Sequence, residues 1–195
     1  MISASKKLVD LFGDVVKADV IWTPDPSILA CANVPKPMHG TNPRTVLGQS
    51  WWNVERRAAY ERTNFHCAAC GVHKYDAKAR QWLEGHEKYT IDYARGLMTY
   101  VRTDALCHYC HNYCHDGRMK ALLDIGKLHH AKYAAIIQHG DRILAAAGLR
   151  KPTYEGPFAD WGKWRLVIGR TRYEGLFKSA EEWVEFHRKK NTEDS

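Results

Sequence analysis

Two CxxC pairs constrain this chain more than any other feature. Cys67-Ala-Ala-Cys70 and Cys107-His-Tyr-Cys110 are separated by 36 intervening residues. A CxxC turn aims two thiolates at one ion, and two such turns complete a tetrahedral S4 site. Such a site is closed and leaves no position for chemistry. The spacing therefore predicts structural Zn2+ held by Cys67, Cys70, Cys107 and Cys110. A redox CxxC would need no second pair. The other two cysteines are Cys31 and Cys114. Cys31 reads as a buried or free thiol. Cys114 reads as a small packed residue, although a ligand role is open to it.

The compartment has to suit that reading. Lys6 and Lys7 near the start are followed by no apolar run, because Asp10, Gly13 and Asp14 interrupt it, so no signal peptide is expected. No stretch approaches the roughly 18 apolar residues that span a bilayer. The expectation is a cytoplasmic protein with no membrane partner. In a reducing cytoplasm, paired cysteines hold metal rather than disulfides. Lysine and arginine number 29 against 22 acidic residues, a net charge of +7. That balance favours an anionic partner, nucleic acid first among them. Hydrophobic residues at 45% argue for a folded protein rather than a disordered one.

A second cluster lies beside the first. His111 and His115 are four residues apart, which on a helix puts both imidazoles on one face. His86 falls between the two CxxC pairs. A hairpin anchored by one pair and a helix anchored by the other would bring His86 towards them. Three imidazoles with one open position describe a catalytic metal site. The plain alternative is chance, since the chain has eleven histidines. A histidine directly after CxxC can also simply hydrogen-bond a cysteine sulfur.

Elements follow from periodicity and breakers. Residues 5–20 are modestly amphipathic and read as a short helix. Residues 24–48 hold five of the seven prolines and read as an extended arm or laid-down loop. Its Lys36, His39 and Arg44 could touch a polyanion. Residues 50–63 read as a helix capped by Ser50, with Trp51, Val54 and Ala58 on one face and Trp51 and Trp52 as core anchors. Residues 81–83 and 89–93 read as short strands around a turn at Gly85, and 97–101 as another strand. Residues 127–147 read as a longer helix ended by Gly148, with Ile136, Ile137 and Leu144 on its apolar face. Residues 164–168 and 171–177 read as a hairpin turning at Gly169 and Arg170. A capping box at Ser179 and Glu182 then opens a last helix.

The segment from Leu83-Glu84-Gly85-His86 to Leu106-Cys107-His108-Tyr109-Cys110-His111-Asn112-Tyr113-Cys114-His115, with Cys67-Ala68-Ala69-Cys70 upstream, resembles the zinc-knuckle branch of the HNH endonucleases. The match spans residues 67–115, about a quarter of the chain. Variants with a His-Glu pair on the hairpin look like small phage-encoded proteins, which implies the host cytoplasm as the place of action. The resemblance implies an α+β fold with a zinc-knuckle ββα-metal core. Flanking helices and a C-terminal β-hairpin plus helix surround it. On that reading residues 1–50 are an N-terminal helix and proline-rich arm, 51–120 the core, and 121–195 an extension packed on it.

The resemblance further implies roles. His86 takes the first metal-ligand place on the hairpin, and His111 and His115 take the helical ones. Asn112 would hold the hairpin loop or orient a ligand. The family's general base is usually the histidine after the first ligand, and here that position is Glu87. A glutamate of ordinary pKa is a weaker base unless burial raises it. The implied activity is hydrolysis of DNA phosphodiester bonds, on double-stranded DNA, with a second divalent ion (Zn2+, Mg2+ or Mn2+). Lys74, Lys78, Arg80, Lys88, Arg95, Arg102 and Arg118 could meet phosphates. Two alternatives stand beside it. One is an inactive zinc module that binds DNA or a host protein, as in host takeover or anti-defence. The other is a metal hydrolase of another substrate.

Overall fold

The structure is a computed structural model that describes residues 22–193 and the backbone of two short strands, β1 (Lys7–Val9) and β2 (Val15–Lys17). These strands pair antiparallel, with Leu8 opposite Val16. They lie where the sequence suggested a helix over 5–20. The β-branched residues Val9, Val15 and Val16 suit strands, and Gly13 and Asp14 fall between the two. The rest of 1–21 lies outside the described residues.

Residues 24–42 form an arm, as the prolines require. Two single turns of 3-10 helix, Pro26–Leu29 and Lys36–Met38, punctuate it. Asp25 caps the first turn through Ser27 N. The arm is anchored rather than free, because Ile28, Leu29 and Met38 are buried. Its His39 and Lys36 serve packing. Trp183 Nε1 donates to His39 Nδ1 at 3.1 Å, and Lys36 lies over the Trp183 ring.

Helix α1 (Pro43–Arg62) starts seven residues before the expected Ser50, at an Asn42–Thr45 capping box. Gly48 then takes φ +88, which splits the helix into 43–47 and 49–62. The buried face carries Trp52 and Ala59, whereas Val54 is 66% exposed, so the apolar stripe is rotated from the one expected. A Cβ on Gly85 would meet the Trp52 ring at 2.9 Å. That close approach explains why glycine stands there, within a strand rather than at a turn.

Strand β3 (Glu84–Asp92) runs straight through Gly85 and pairs antiparallel with β4 (Leu97–Leu106). The turn sits at 93–96, with Gly96 at φ +67. β4 runs directly into Cys107, and helix α2 (His108–Cys114) follows. Helices α3 (Asp116–Asp124) and α4 (His130–Ala146) come next. The C-terminal hairpin, β5 (Arg165–Ile168) and β6 (Thr171–Glu174), turns at Gly169 as expected. It joins the same sheet, whose order is β3-β4-β5-β6, with β5 parallel to β4. Helix α5 (Ala180–Glu193) closes the described chain. Ser179 Oγ accepts from Glu182 N, and the Glu182 carboxylate accepts from Lys178 N. The architecture is mixed α+β, and no helix among the described residues is long and apolar enough to cross a membrane.

Two apolar clusters hold these elements. The larger one gathers Ile28 and Leu29 of the arm, Ala105 and Leu106 of β4, Tyr113 of α2, and Ile136 and Leu144 of α4 around the cysteines. The smaller one gathers Met38, Met98, Trp164 and Leu166 where the arm crosses the sheet. α4 lies so close to α2 that the Tyr113 ring covers Gly140. A Cβ there would come within 2.2 Å of ring carbons. Gly140→Ala is expected to cost at least about 1–3 kcal/mol, and to lower the melting temperature by several degrees in a calorimetric scan. An unchanged transition would mean that α2 and α4 can slide apart at no cost.

Candidate metal centre

Strand β4 and the turn after α1 deliver the first centre. Thr63 ends α1, and the chain turns through Asn64 and Phe65, both at positive φ, into Cys67. Cys67 N donates to Val72 O, and Gly71 N to Cys67 O, which closes the first knuckle. Ala68 N donates to Ala105 O at 2.7 Å, stitching that knuckle to β4 just before the second. The sulfur atoms of Cys67, Cys70, Cys107 and Cys110 then lie within 4.8 Å of one another. Tetrahedral zinc sets its sulfur ligands about 3.8 Å apart, and Cys70 and Cys107 stand at that separation, 3.8 Å. The four cysteines can hold a metal ion, and the set suits structural zinc.

Electrostatics in this cluster follow from crowding. Hydrogen bonding from Cys107 holds the thiols of Cys67 and Cys70 below the ordinary range, and the same crowding pushes Cys110 above it. Four thiolates this close repel one another unless a cation neutralises them. A fifth group, not evident from the sequence, completes the site. His139 of α4 brings Nε2 to 3.3 Å from the Cys110 sulfur. An N–H donated to a ligating sulfur tunes its charge and fixes its direction. His139→Ala is expected to weaken zinc binding about 10- to 100-fold, as read by competition with a chromogenic chelator. Unchanged affinity would reduce His139 to a packing contact.

The second cluster forms where α2 crosses β3. His86 on β3, His111 on α2 and His115 at the end of α2 bring their ligand atoms within 4.8 Å of one another. The His86 and His115 rings are 5.0 Å apart, and those of His111 and His115 are 4.7 Å apart. Burial holds His86 below its ordinary pKa and brings His115 down to about 3. Both are therefore neutral at physiological pH, the form that binds metal. His86 Nδ1 is buried and has no hydrogen-bond partner among the described residues. An orphaned ring nitrogen of this kind suits a bound ion, so the residues present fit a metal.

Glu84 supports the cluster from the same face of β3, two residues before His86. Its carboxylate accepts from His108 Nδ1 at 2.8 Å. It also lies 2.9 Å from His111 Nδ1, off the line of a good hydrogen bond. Burial alone would raise the Glu84 pKa, but the His111 and His108 contacts bring it down to about 2. With Nδ1 facing Glu84, His111 presents Nε2 to an ion. The alternation of β3 could have marked Glu84 as the partner of His86.

Asn112 reaches this network only indirectly. Its Nδ2 donates to the His108 carbonyl at 2.8 Å and packs on the His108 ring. Asn112 thus steadies His108, which holds Glu84, which faces His111.

Glu87 lies elsewhere. Neighbours in a strand point to opposite faces. His86 faces α2 and the arm, while Glu87 lies on the side of Tyr89, Tyr100 and Arg44. Burial raises the Glu87 pKa, opposed by a hydrogen bond to its own backbone and by the smaller effects of His111 and Arg44. Among the described residues β3 is the outer strand of its sheet, so His86 and Glu87 flank that edge from its two sides.

The basic residues divide in use. Arg102 is paired with Asp104 at 2.7 Å, and Arg95 with Asp92. Lys74 lies over the Phe65 and Tyr75 rings, and Arg80 over Trp82. Arg118 is exposed.

The two cysteines outside the pairs are not scattered. Cys31 on the arm and Cys114 on α2 stand with His86 in a third close group, within 4.8 Å. Comparison with known protein families, curated proteins and solved structures finds no match.

Proposed function

We propose that this chain is an HNH-like, metal-dependent endonuclease that hydrolyses DNA phosphodiester bonds. The Cys67, Cys70, Cys107 and Cys110 site would hold structural zinc, and the hairpin and α2 would form a ββα-metal core. The observation that carries the reading is the convergence of His86, His111 and His115 at β3, the outer strand of its sheet among the described residues. A divalent ion held there would supply Lewis-acid stabilisation of charge on a phosphate oxygen. Glu84 faces His111 Nδ1, which leaves Nε2 of that ring for an ion. Asn112 and His108 fix Glu84 in turn. Glu87 would accept the proton of the attacking water from the other side of the edge, where a phosphodiester lying across β3 meets both faces. Its raised pKa brings a carboxylate nearer the range of a working base. The net charge of +7 supports binding to the phosphate backbone with little base readout.

A second reading, an inactive zinc module that binds DNA or a host protein, is favoured by one observation. Glu87 lies on the face of the sheet opposite the imidazoles. Plasmid relaxation with Mg2+, Mn2+ or Zn2+ separates the two. Wild type is expected to nick supercoiled plasmid. His111→Ala/His115→Ala is expected to lose that activity by on the order of 10² to 10³-fold or more, with its circular dichroism unchanged. Tight duplex binding with no cleavage under any ion would sink the nuclease reading and leave the module.

A further inference from the structure

Neither the S4 site nor the three imidazoles accounts for Cys31 and Cys114. They come from distant parts of the chain, 83 residues apart. Cys31 follows the 3-10 turn that buries Ile28 and Leu29, so two apolar anchors fix its position. Cys114 ends α2 and is buried, only four residues after Cys110. The two sulfurs reach across the seam between arm and helix. Cys31 Sγ lies 3.9 Å from Cys114 O, and Cys114 Sγ lies 3.9 Å from Ile28 O. The ring of His86, only 7% exposed, completes the group and carries the orphaned Nδ1.

We propose that Cys31, Cys114 and His86 form a further metal site, selective for Zn2+ and other thiophilic divalent ions. Ligand atoms around tetrahedral zinc stand about 3.3–3.8 Å apart, so a group already within 4.8 Å closes on an ion with small side-chain adjustments. Two sulfurs and one imidazole select Zn2+ over Mg2+, which takes oxygen ligands. The ion takes both sulfurs as thiolates, so uptake releases whatever protons they carry. The site would also tie the arm to α2 by coordination, where the seam otherwise holds apolar contacts and two long thiol-to-carbonyl contacts.

His86 belongs to both this group and the imidazole group. An ion held by the two sulfurs therefore withdraws His86 from His111 and His115. The proposal does not depend on nuclease activity, but it bears on which ion that activity would tolerate.

Cobalt substitution under an oxygen-free reductant tests it, because sulfur ligands give Co2+ intense near-ultraviolet charge-transfer absorption and nitrogen ligands do not. Wild type is expected to take two Co2+ with the intensity of six thiolates. Cys31→Ser/Cys114→Ser should lose about a third of that intensity, from six thiolates to four, while the S4 absorption remains as the internal proof of folding. Cys31→Ser alone, changed on the arm, should lose about a sixth. His111→Ala/His115→Ala should leave the near-ultraviolet band intact. If the serine variants keep the full wild-type band, the further site does not exist. If His111→Ala/His115→Ala instead removes the second ion and the serine variants do not, the ion belongs to the imidazoles. That result overturns this inference and leaves the nuclease reading standing.

Discussion

Cys67→Ser is expected to unfold the chain. Cys67 is fully buried, and its knuckle is hydrogen-bonded both to β4 and to the arm, through Ala68 N to Ala105 O and Asp25 N to Ala68 O. The four sulfurs therefore fasten the root of the hairpin, the start of α2 and the arm at one point. Zinc binding by such sites contributes about 10–16 kcal/mol at neutral pH. The whole stability of a domain this size is about 5–15 kcal/mol. Losing the ion thus removes an amount comparable to everything that holds the fold. Circular dichroism and thermal melting of Cys67→Ser, and of wild type with a strong chelator, measure this. Both should lose cooperative unfolding, and added Zn2+ should rescue the chelated wild type but not the variant. A cooperative transition that survives chelation would show that the apolar clusters suffice without metal. The same experiment carries a warning for enzymology. Activity lost on chelation says nothing about a catalytic ion, because the fold goes first.

Glu87→Gln is expected to lower plasmid cleavage by about 10² to 10⁴-fold if Glu87 is the base. Glutamine keeps the shape and the burial but cannot take a proton. The pH profile adds the sign. A base acts when deprotonated, so the rate should rise with pH through the Glu87 pKa and level off above it. Burial sets that rise above the ordinary glutamate range. Glu87→His should move the rise up towards about 6.5, the ordinary histidine value. Single-turnover rates across pH on wild type and both variants give the answer. A profile that ignores position 87 would remove Glu87 from the chemistry and point to metal-assisted water alone. The distinction matters because Glu87 and the imidazoles lie on opposite faces of β3, and only a substrate across the strand edge meets both.

Parts of this architecture were legible before any coordinates. The paired CxxC spacing is a local rule with a strong geometric consequence, and the four sulfurs do converge. The i, i+4 histidines needed only a helix after Cys110 to share a face, and α2 supplies it. The hairpin at Gly169 and the helix stop at Gly148 followed from glycine's tolerance of positive φ. Other elements were not legible. Gly85 looked like a turn but lies within β3, one residue from its start, since what it answers to is the Trp52 ring from α1. The start of α1 moved to Asn42 because a second capping signal lies upstream and Gly48 can absorb the break between two helical pieces. Trp52 is buried as expected, but Val54 and Ala58 are exposed and Ala59 is buried instead, because helical spacing fixes a stripe's period but not which stripe faces the sheet.

The division is physical. The sequence alone determined the contacts set by near neighbours: two thiolates from each tight turn, two imidazoles from one helical face, a capped start and a glycine stop. It could not determine which separate pieces meet, because that depends on packing between residues far apart in the chain. Only the tertiary structure brought His139 to Cys110, Glu84 to His108 and His111, β5 beside β4, and Cys31 to Cys114 and His86. The partners are fixed by buried apolar anchors, Leu29, Leu106 and Ile136 around the cysteines and Met98 and Leu166 between β4 and β5, and burial at a distance leaves no periodic mark in a sequence.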